Sequence, residues 1–210
     1  MYTGCARLHV MTFAESVAWP HRTARASIRP ATRSDAEVIW AIRRRPGVSD
    51  FLTGLPGELG PWTDRFVEAE RLASTLVVEV GDQVIGDLLL VRENAYSQAE
   101  VREQAQGVAA EIGWVVSPDW QGRGLATESV SALLDICFGH LGLHRVVAGC
   151  TVENRASWRL MERLGMRREA HTVQSGLHRD GTWHDGYMYA MLRAEWVKVT
   201  HIHDRLRPSP

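Results

Sequence analysis

The chain has 210 residues, 45% of them hydrophobic, and a formal net charge of −1. That length and apolar share suit one globular domain with a sizeable core and exclude a second full-sized one. Arginine and lysine are spread along the chain, so there is no electrostatic footprint for nucleic acid.

No apolar run reaches the roughly 20 residues of a membrane-spanning helix, and the N-terminal segment lacks the apolar stretch of a signal peptide. Neither nucleic acid nor a membrane is therefore expected as a partner. Cys5, Cys137 and Cys150 are odd in number and show no metal-binding spacing. They read as reduced thiols of a cytoplasmic protein, with Cys137 and Cys150 in the core and no metal.

Residues 1–24 show no steady period and read as an N-terminal extension. Residues 26–29 are strand-like. Thr32 and Asp35 form a weak capping box for a helix over 36–45, which Pro46-Gly47 ends. Pro61 suits a first helical turn, and Phe66, Val67, Ala69 and Leu72 recur at helical intervals. Residues 75–80 and 84–91 are β-rich runs joined by the turn signal Gly81-Asp82. The polar segment 93–107 reads as a long loop suited to specificity or to homodimer contacts. Residues 109–116 form the next strand, 123–141 a helix capped by Gly142, and 145–152 a strand. A helix over 154–164 is closed by Gly165; strands over 166–174 and 182–193 follow, with Gly181 in the turn between them. The polar tail is set off at 198–210, which leaves a domain over 25–197. The alternation predicts an α/β layered fold with a mixed sheet.

The segment Ser117-Pro118-Asp119-Trp120-Gln121-Gly122-Arg123-Gly124-Leu125-Ala126 lies between an apolar strand and an amphipathic helix. Two glycines let the backbone turn tightly, so several amides can converge at a helix N-terminus, where the helix dipole favours an anion. This is the make-up of a nest for a phosphate or pyrophosphate.

Three linked segments resemble the GNAT superfamily of acyl-CoA-dependent N-acyltransferases. Gln121-Gly122-Arg123-Gly124-Leu125-Ala126 is similar to that family's pyrophosphate loop. Asn154-Arg155-Ala156-Ser157 with Glu162-Arg163-Leu164-Gly165-Met166 resembles its second cofactor helix. Ala110-Glu111-Ile112-Gly113-Trp114 is similar to the branch containing ribosomal-protein N-terminal acetyltransferases. The resemblance implies a largely antiparallel central sheet with helices on both faces and strands splayed at an acyl-CoA cleft. It implies acetyl-CoA as cosubstrate, with its pyrophosphate on the amides of residues 121–126. The pantetheine arm would lie along Val115 and Val116, with Asn154 opposite, and a primary amine, most simply a peptide N-terminus, would be the acceptor. Glu111 is the implied base and Ser157 a substitute acid, because Met161 stands where many relatives carry a tyrosine; Tyr187 and Tyr189 are reserves.

Blander readings stand beside these. Glu111 also suits a structural carboxylate paired with an arginine. Ser157 also suits a residue that satisfies local backbone, and Asn154 is a good N-cap. The acceptor is open among peptide N-termini, aminoglycosides and polyamines, and Met161 keeps a non-catalytic CoA sensor in play.

Overall fold

A computed structural model describes residues 17–198 of the protein. Its strands are β1 (His21–Arg22), β2 (Ser27–Pro30), β3 (Thr75–Val80), β4 (Gln83–Glu93), β5 (Ala109–Val116), β6 (Arg145–Thr151), β7 (Arg167–Leu177) and β8 (Trp183–Leu192). They form a single sheet in the order β1-β2-β3-β4-β5-β6-β8-β7. Every neighbouring pair is antiparallel except β5 and β6.

Helices cover both faces. In β3, Leu76 and Val78 join one buried cluster while Val77 joins the other, as a period of two requires. On the Val77 face lie α1 (Ala36–Arg43) and α2 (Leu59–Phe66), contributing Ile39, Trp62 and Phe66. The Asp35 carboxylate accepts the Thr32 amide at 2.7 Å and completes the expected capping box ahead of α1. A short helix, α3 (Ala69–Ala73), leads into β3. On the opposite face lie α4 (Leu125–Asp135) and α5 (Arg155–Arg163). They pack Leu133 and Met161 against Ile28, Leu88, Leu90 and Ile112. Each such side chain fully buried contributes about 1.5–3 kcal/mol of transfer free energy.

Several boundaries differ from the sequence reading. The helix expected over 123–141 begins only at Leu125, because Gly124 takes a φ of 79° as its N-cap. It then loosens into a π-turn over Ile136–His140 before Gly142, whose φ is 64°. Within the polar loop, residues 99–105 form 3-10 turns. The expected extension is partly woven into the domain: Val17 is buried in the main cluster and His21–Arg22 pairs with β2. Residues 1–16 and 199–210, with Cys5 and most of the expected tail, lie outside the described residues.

Candidate active site

The site is built where the sheet comes apart. β5 and β6 pair only from Ala109↔Arg145 to Glu111↔Val147, and beyond that rung they diverge. Pairing with the outer neighbours continues on both sides, to Val116 in β5 and to Thr151 in β6. The Ser117 amide donates to the Ile85 carbonyl at 2.8 Å, which makes Gly86↔Val116 a non-hydrogen-bonded pair. By alternation, the main-chain groups of Ile112, Trp114 and Val116 face away from β4 and into the split. On β6, the Arg193 amide donates to the His144 carbonyl at 3.0 Å, and the same alternation turns Gly149 and Thr151 toward the split.

The resulting cleft of about 150 Å³ is lined by Phe51, Ile112, Trp114, Gly149, Cys150, Thr151, Asn154 and Ser157 among others. It holds free strand edges on both sides, so an extended ligand can pair with main chain as an added strand. The β4–β5 register runs without a shift. The opening therefore comes from divergence of β5 from β6, not from a bulge between β4 and β5. Val116 presents its amide to the split. Val115 does not, because its main-chain groups face Asp87 on β4.

At the mouth of the split the chain turns through residues 117–124 into α4. Gly122 and Gly124 have φ of 72° and 79°, in the left-handed region that favours glycine. Among the described residues, the amides of residues 122–127 donate to no protein acceptor; the first helical bond of this turn is the Glu128 amide to the Gly124 carbonyl at 3.0 Å. Residues 121–124 are exposed. Unpaired amides around two left-handed glycines, at the start of an 11-residue helix, make the anion nest that the sequence implies.

The six loop residues divide their work. The Gln121 side chain donates to the Val116 carbonyl at 2.9 Å and so staples the loop to β5. The Arg123 guanidinium lies 5.1 Å from the Trp120 ring centroid. Leu125 is buried and Ala126 packs on the core, leaving only their amides at the helix end. Arg25 escaped the sequence reading. Its guanidinium donates to the Arg123 carbonyl at 2.9 Å and pairs with Glu128 at 2.7 Å, which brings positive charge to the nest. No motif marks such a residue, which lies nearly a hundred positions before the loop.

Asn154 caps α5, accepting the Ser157 amide at 3.2 Å, and both residues line the cleft. Among the described residues the Ser157 hydroxyl has no hydrogen-bond partner. Glu111 stands on the last shared rung, at the apex of the split, on the α1 face. It is exposed, and among the described residues it pairs with no arginine. At its neighbour Glu93, burial raises the pKa and the charge of Glu111 raises it further.

Tyr187 and Tyr189, the reserves of the sequence analysis, stand on β8. They pair with Cys150 and Ala148 and turn to the α5 face. There Tyr187 meets Trp158 edge-on at 6.3 Å. Tyr189 is 1% exposed and donates to Glu162 at 2.9 Å. Burial and that carboxylate push its pKa up to about 12. Met161 is wholly buried beside them. Cys150 is less enclosed than expected: it is half-buried at the cleft wall, and burial pushes its thiol up to about 11.

A split between two parallel strands, with an anion nest at its mouth, is the arrangement that the three sequence segments imply. The acetyltransferase (GNAT) domain model matches residues 25–167. The chain belongs to this family. The GNAT chain is 42% identical over 86 residues to the uncharacterized N-acetyltransferase YnaD of Bacillus subtilis, covering 41% of the chain and 50% of that protein. It is 30% identical over 89 residues to the [ribosomal protein uS5]-alanine N-acetyltransferase of Escherichia coli, covering 42% and 45%. A spermidine N(1)-acetyltransferase of Vibrio cholerae is 33% identical over 66 residues, covering 31% and 38%. The chain thus spans half or less of the length of these curated relatives. Among solved structures, a GNAT-family acetyltransferase from Bacillus anthracis superposes with a TM-score of 0.69 at 28% identity, covering 83% of this chain and 98% of that one.

Proposed function

We propose that this GNAT domain transfers an acetyl group from acetyl-CoA to a primary amine by direct attack in a ternary complex, with a peptide N-terminus as the favoured acceptor. The observation that carries the reading is the split between β5 and β6 with its nest of unpaired amides. In this reading the diphosphate of the cosubstrate accepts from the amides of residues 122–126. Charge-assisted bonds of this kind contribute about 1.5–3 kcal/mol each, so a few hold a diphosphate without a metal. The pantetheine arm pairs with the edge of β5 at Trp114 and Val116, and Asn154 contacts it from the side of β6.

The thioester then lies near Ile112 and Gly149, deep in the split. A main-chain N–H aimed at its oxygen stabilises the tetrahedral oxyanion, and one such donor typically counts for about 2.7–4 kcal/mol. The amine reaches the thioester from the α1 face, where Glu111 stands. An α-amino group has a pKa near 7.7–8.0, so a modest base, direct or through one water, is enough to neutralise it. The nitrogen attacks the carbonyl carbon, the C–S bond breaks, and the thiolate leaves toward Ser157, whose hydroxyl lines the cleft and is the candidate donor.

The preference for a peptide N-terminus rests on the Ala110–Trp114 phrase and on the relative that acts on ribosomal protein uS5. The spermidine-acetylating relative favours a polyamine as the second reading, and the neighbouring carboxylates Glu93 and Glu111 suit a polycation. A thiol-release assay with acetyl-CoA, run against peptide N-termini, aminoglycosides and polyamines, separates them, with mass spectrometry to locate the acetyl group. Release with peptides alone supports the first reading and release with spermidine alone the second. Tight binding of acetyl-CoA without turnover of any amine would leave a sensor on a GNAT scaffold.

A further inference from the structure

The hairpin between β7 and β8 carries His178, Asp180 and His184, none of which the acetyl-transfer site uses. The His178 amide donates to the Thr182 carbonyl at 2.8 Å, and the Gly181 amide donates back to the His178 carbonyl at 3.0 Å. With a period of two, His178, Thr182 and His184 share one face of the ribbon. Directly across from His184 stands Gly176, so no side chain separates the two imidazoles. Their ring centroids are 5.0 Å apart. Asp180 reaches in from the turn, with Oδ1 2.9 Å from His178 Nδ1. Each residue offers one ligand atom, and the three atoms all lie within 4.8 Å of one another. A tetrahedral ion with bonds of about 2.1 Å sets its donors about 3.4 Å apart. Ligation requires the donors to draw in by up to about 1.4 Å through side-chain rotation.

Two further details point to a ligand. His178 Nδ1 is buried and faces the Asp180 carboxylate at 2.9 Å, so nitrogen and oxygen donors already converge there. Thr182 has one hydroxyl proton, and it donates to Asp180 at 2.6 Å. Toward His184 Nε2, 2.7 Å away, the same oxygen can then only accept, so the ring nitrogen carries the proton that a bound metal ion would displace. His184 Nδ1 is 2.9 Å from Glu153 Oε2. A carboxylate on one ring nitrogen holds the proton there and leaves the other nitrogen as a lone-pair donor, which is how metal-binding histidines are commonly oriented.

We propose that His178 Nδ1, Asp180 and His184 Nε2 bind one divalent transition-metal ion, zinc by preference, with Glu153 orienting His184. Two imidazoles and one carboxylate suit zinc better than magnesium or calcium, which favour all-oxygen shells. A fourth position is left for water or another ligand. The hairpin tip is tied to the loop between α1 and α2, since the Arg179 guanidinium donates to the Leu52 carbonyl. Phe51 of that loop lines the cleft. The ion thus stiffens the rim of the cleft, and no step of acetyl transfer passes through it.

The test is a titration of the full chain, stripped with chelator and desalted, with zinc chloride by calorimetry and with cobalt(II) by visible absorption. One ion per chain at micromolar affinity or tighter is expected, with the cobalt spectrum of a four-coordinate nitrogen–oxygen site. His178→Ala and His184→Ala should each weaken binding at least 100-fold. Glu153→Gln should weaken it about 10-fold, and His171→Ala should leave it unchanged. His184→Gln, closer in size, replaces His184→Ala if circular dichroism shows the latter unfolded. Affinity unchanged by loss of His184, or no binding tighter than millimolar in the parent chain, would overturn the assignment.

Discussion

Gly124 has a φ of 79°, and a Cβ built there would lie 3.3 Å from the Arg25 guanidinium. Gly124→Glu therefore adds left-handed strain of about 1–2 kcal/mol and sets a carboxylate in the nest. Calorimetry should show acetyl-CoA affinity reduced at least 100-fold while circular dichroism stays that of the parent; unchanged affinity would remove the nest from the account. Glu111→Gln should slow turnover by about 10-fold below pH 7 and little at pH 9, where much of an α-amine is already neutral. A pH–rate profile parallel to the parent's returns Glu111 to a structural role. The same variant has a second readout at Glu93. Its pKa is raised by burial first and by Glu111 second, so ionised Glu93 destabilises the fold above its native pKa, and that cost disappears as pH falls through it. Removing the charge at Glu111 should lower the Glu93 pKa in a carboxyl NMR titration. No movement would mean that the two carboxylates do not sense each other.

Two polar contacts tie the helices to the sheet. Asp87 is 1% exposed and pairs with Arg43 at the end of α1. Burial opposes the Arg43 charge, and Asp87 more than restores it. Asp87→Asn leaves the half-buried Arg43 guanidinium without its counter-charge and should cost about 1–3 kcal/mol in urea denaturation; no measurable loss would show that water compensates the pair. Glu128 links α4 to the segment before β2, accepting from Thr23 Oγ1 at 2.6 Å and from the Arg25 amide at 2.8 Å. Burial works to raise its pKa, but these bonds and the Arg25 charge hold it below the usual carboxylate range. A depressed carboxyl contributes stability above its unfolded pKa, near 4.3 for glutamate, and loses it as pH falls through the native value. Glu128→Gln should therefore flatten the fall of stability with acid below about pH 4.5, and an unchanged slope would contradict the assignment. These elements were legible where local chemistry sets them. Residues 75–80 and 109–116 match their strands end to end because β-branched and apolar runs are bounded by a turn or by Ser-Pro. The end of α4 was not legible: its last turn widens into the π-turn where Phe138 packs against Trp196, their rings 5.7 Å apart. No local pattern records such a contact.

At the scale of the whole molecule, the nest could be read from Gln121–Ala126 alone, since two glycines before an amphipathic helix carry their own geometry. The split could not, because it is made by two strands whose facing residues, such as Ile112 and Gly149, are far apart in sequence. Gly149 was the available signal: a glycine inside a strand marks close backbone approach. Nor could the sequence orient Tyr187 and Tyr189, since period two shows that they share a face but not which one. A ligand that fills the split binds only the folded chain. At 100 times its dissociation constant it adds about 2.7 kcal/mol, or roughly 5–10 °C in Tm for a domain of this size. The most direct measurement is a crystal structure with acetyl-CoA bound. The diphosphate should accept from the amides of residues 122–126, and the pantetheine should lie between β5 and β6 with its thioester beside Ile112 and Gly149. A coenzyme bound anywhere else, with β5 and β6 closed on each other, would contradict the account.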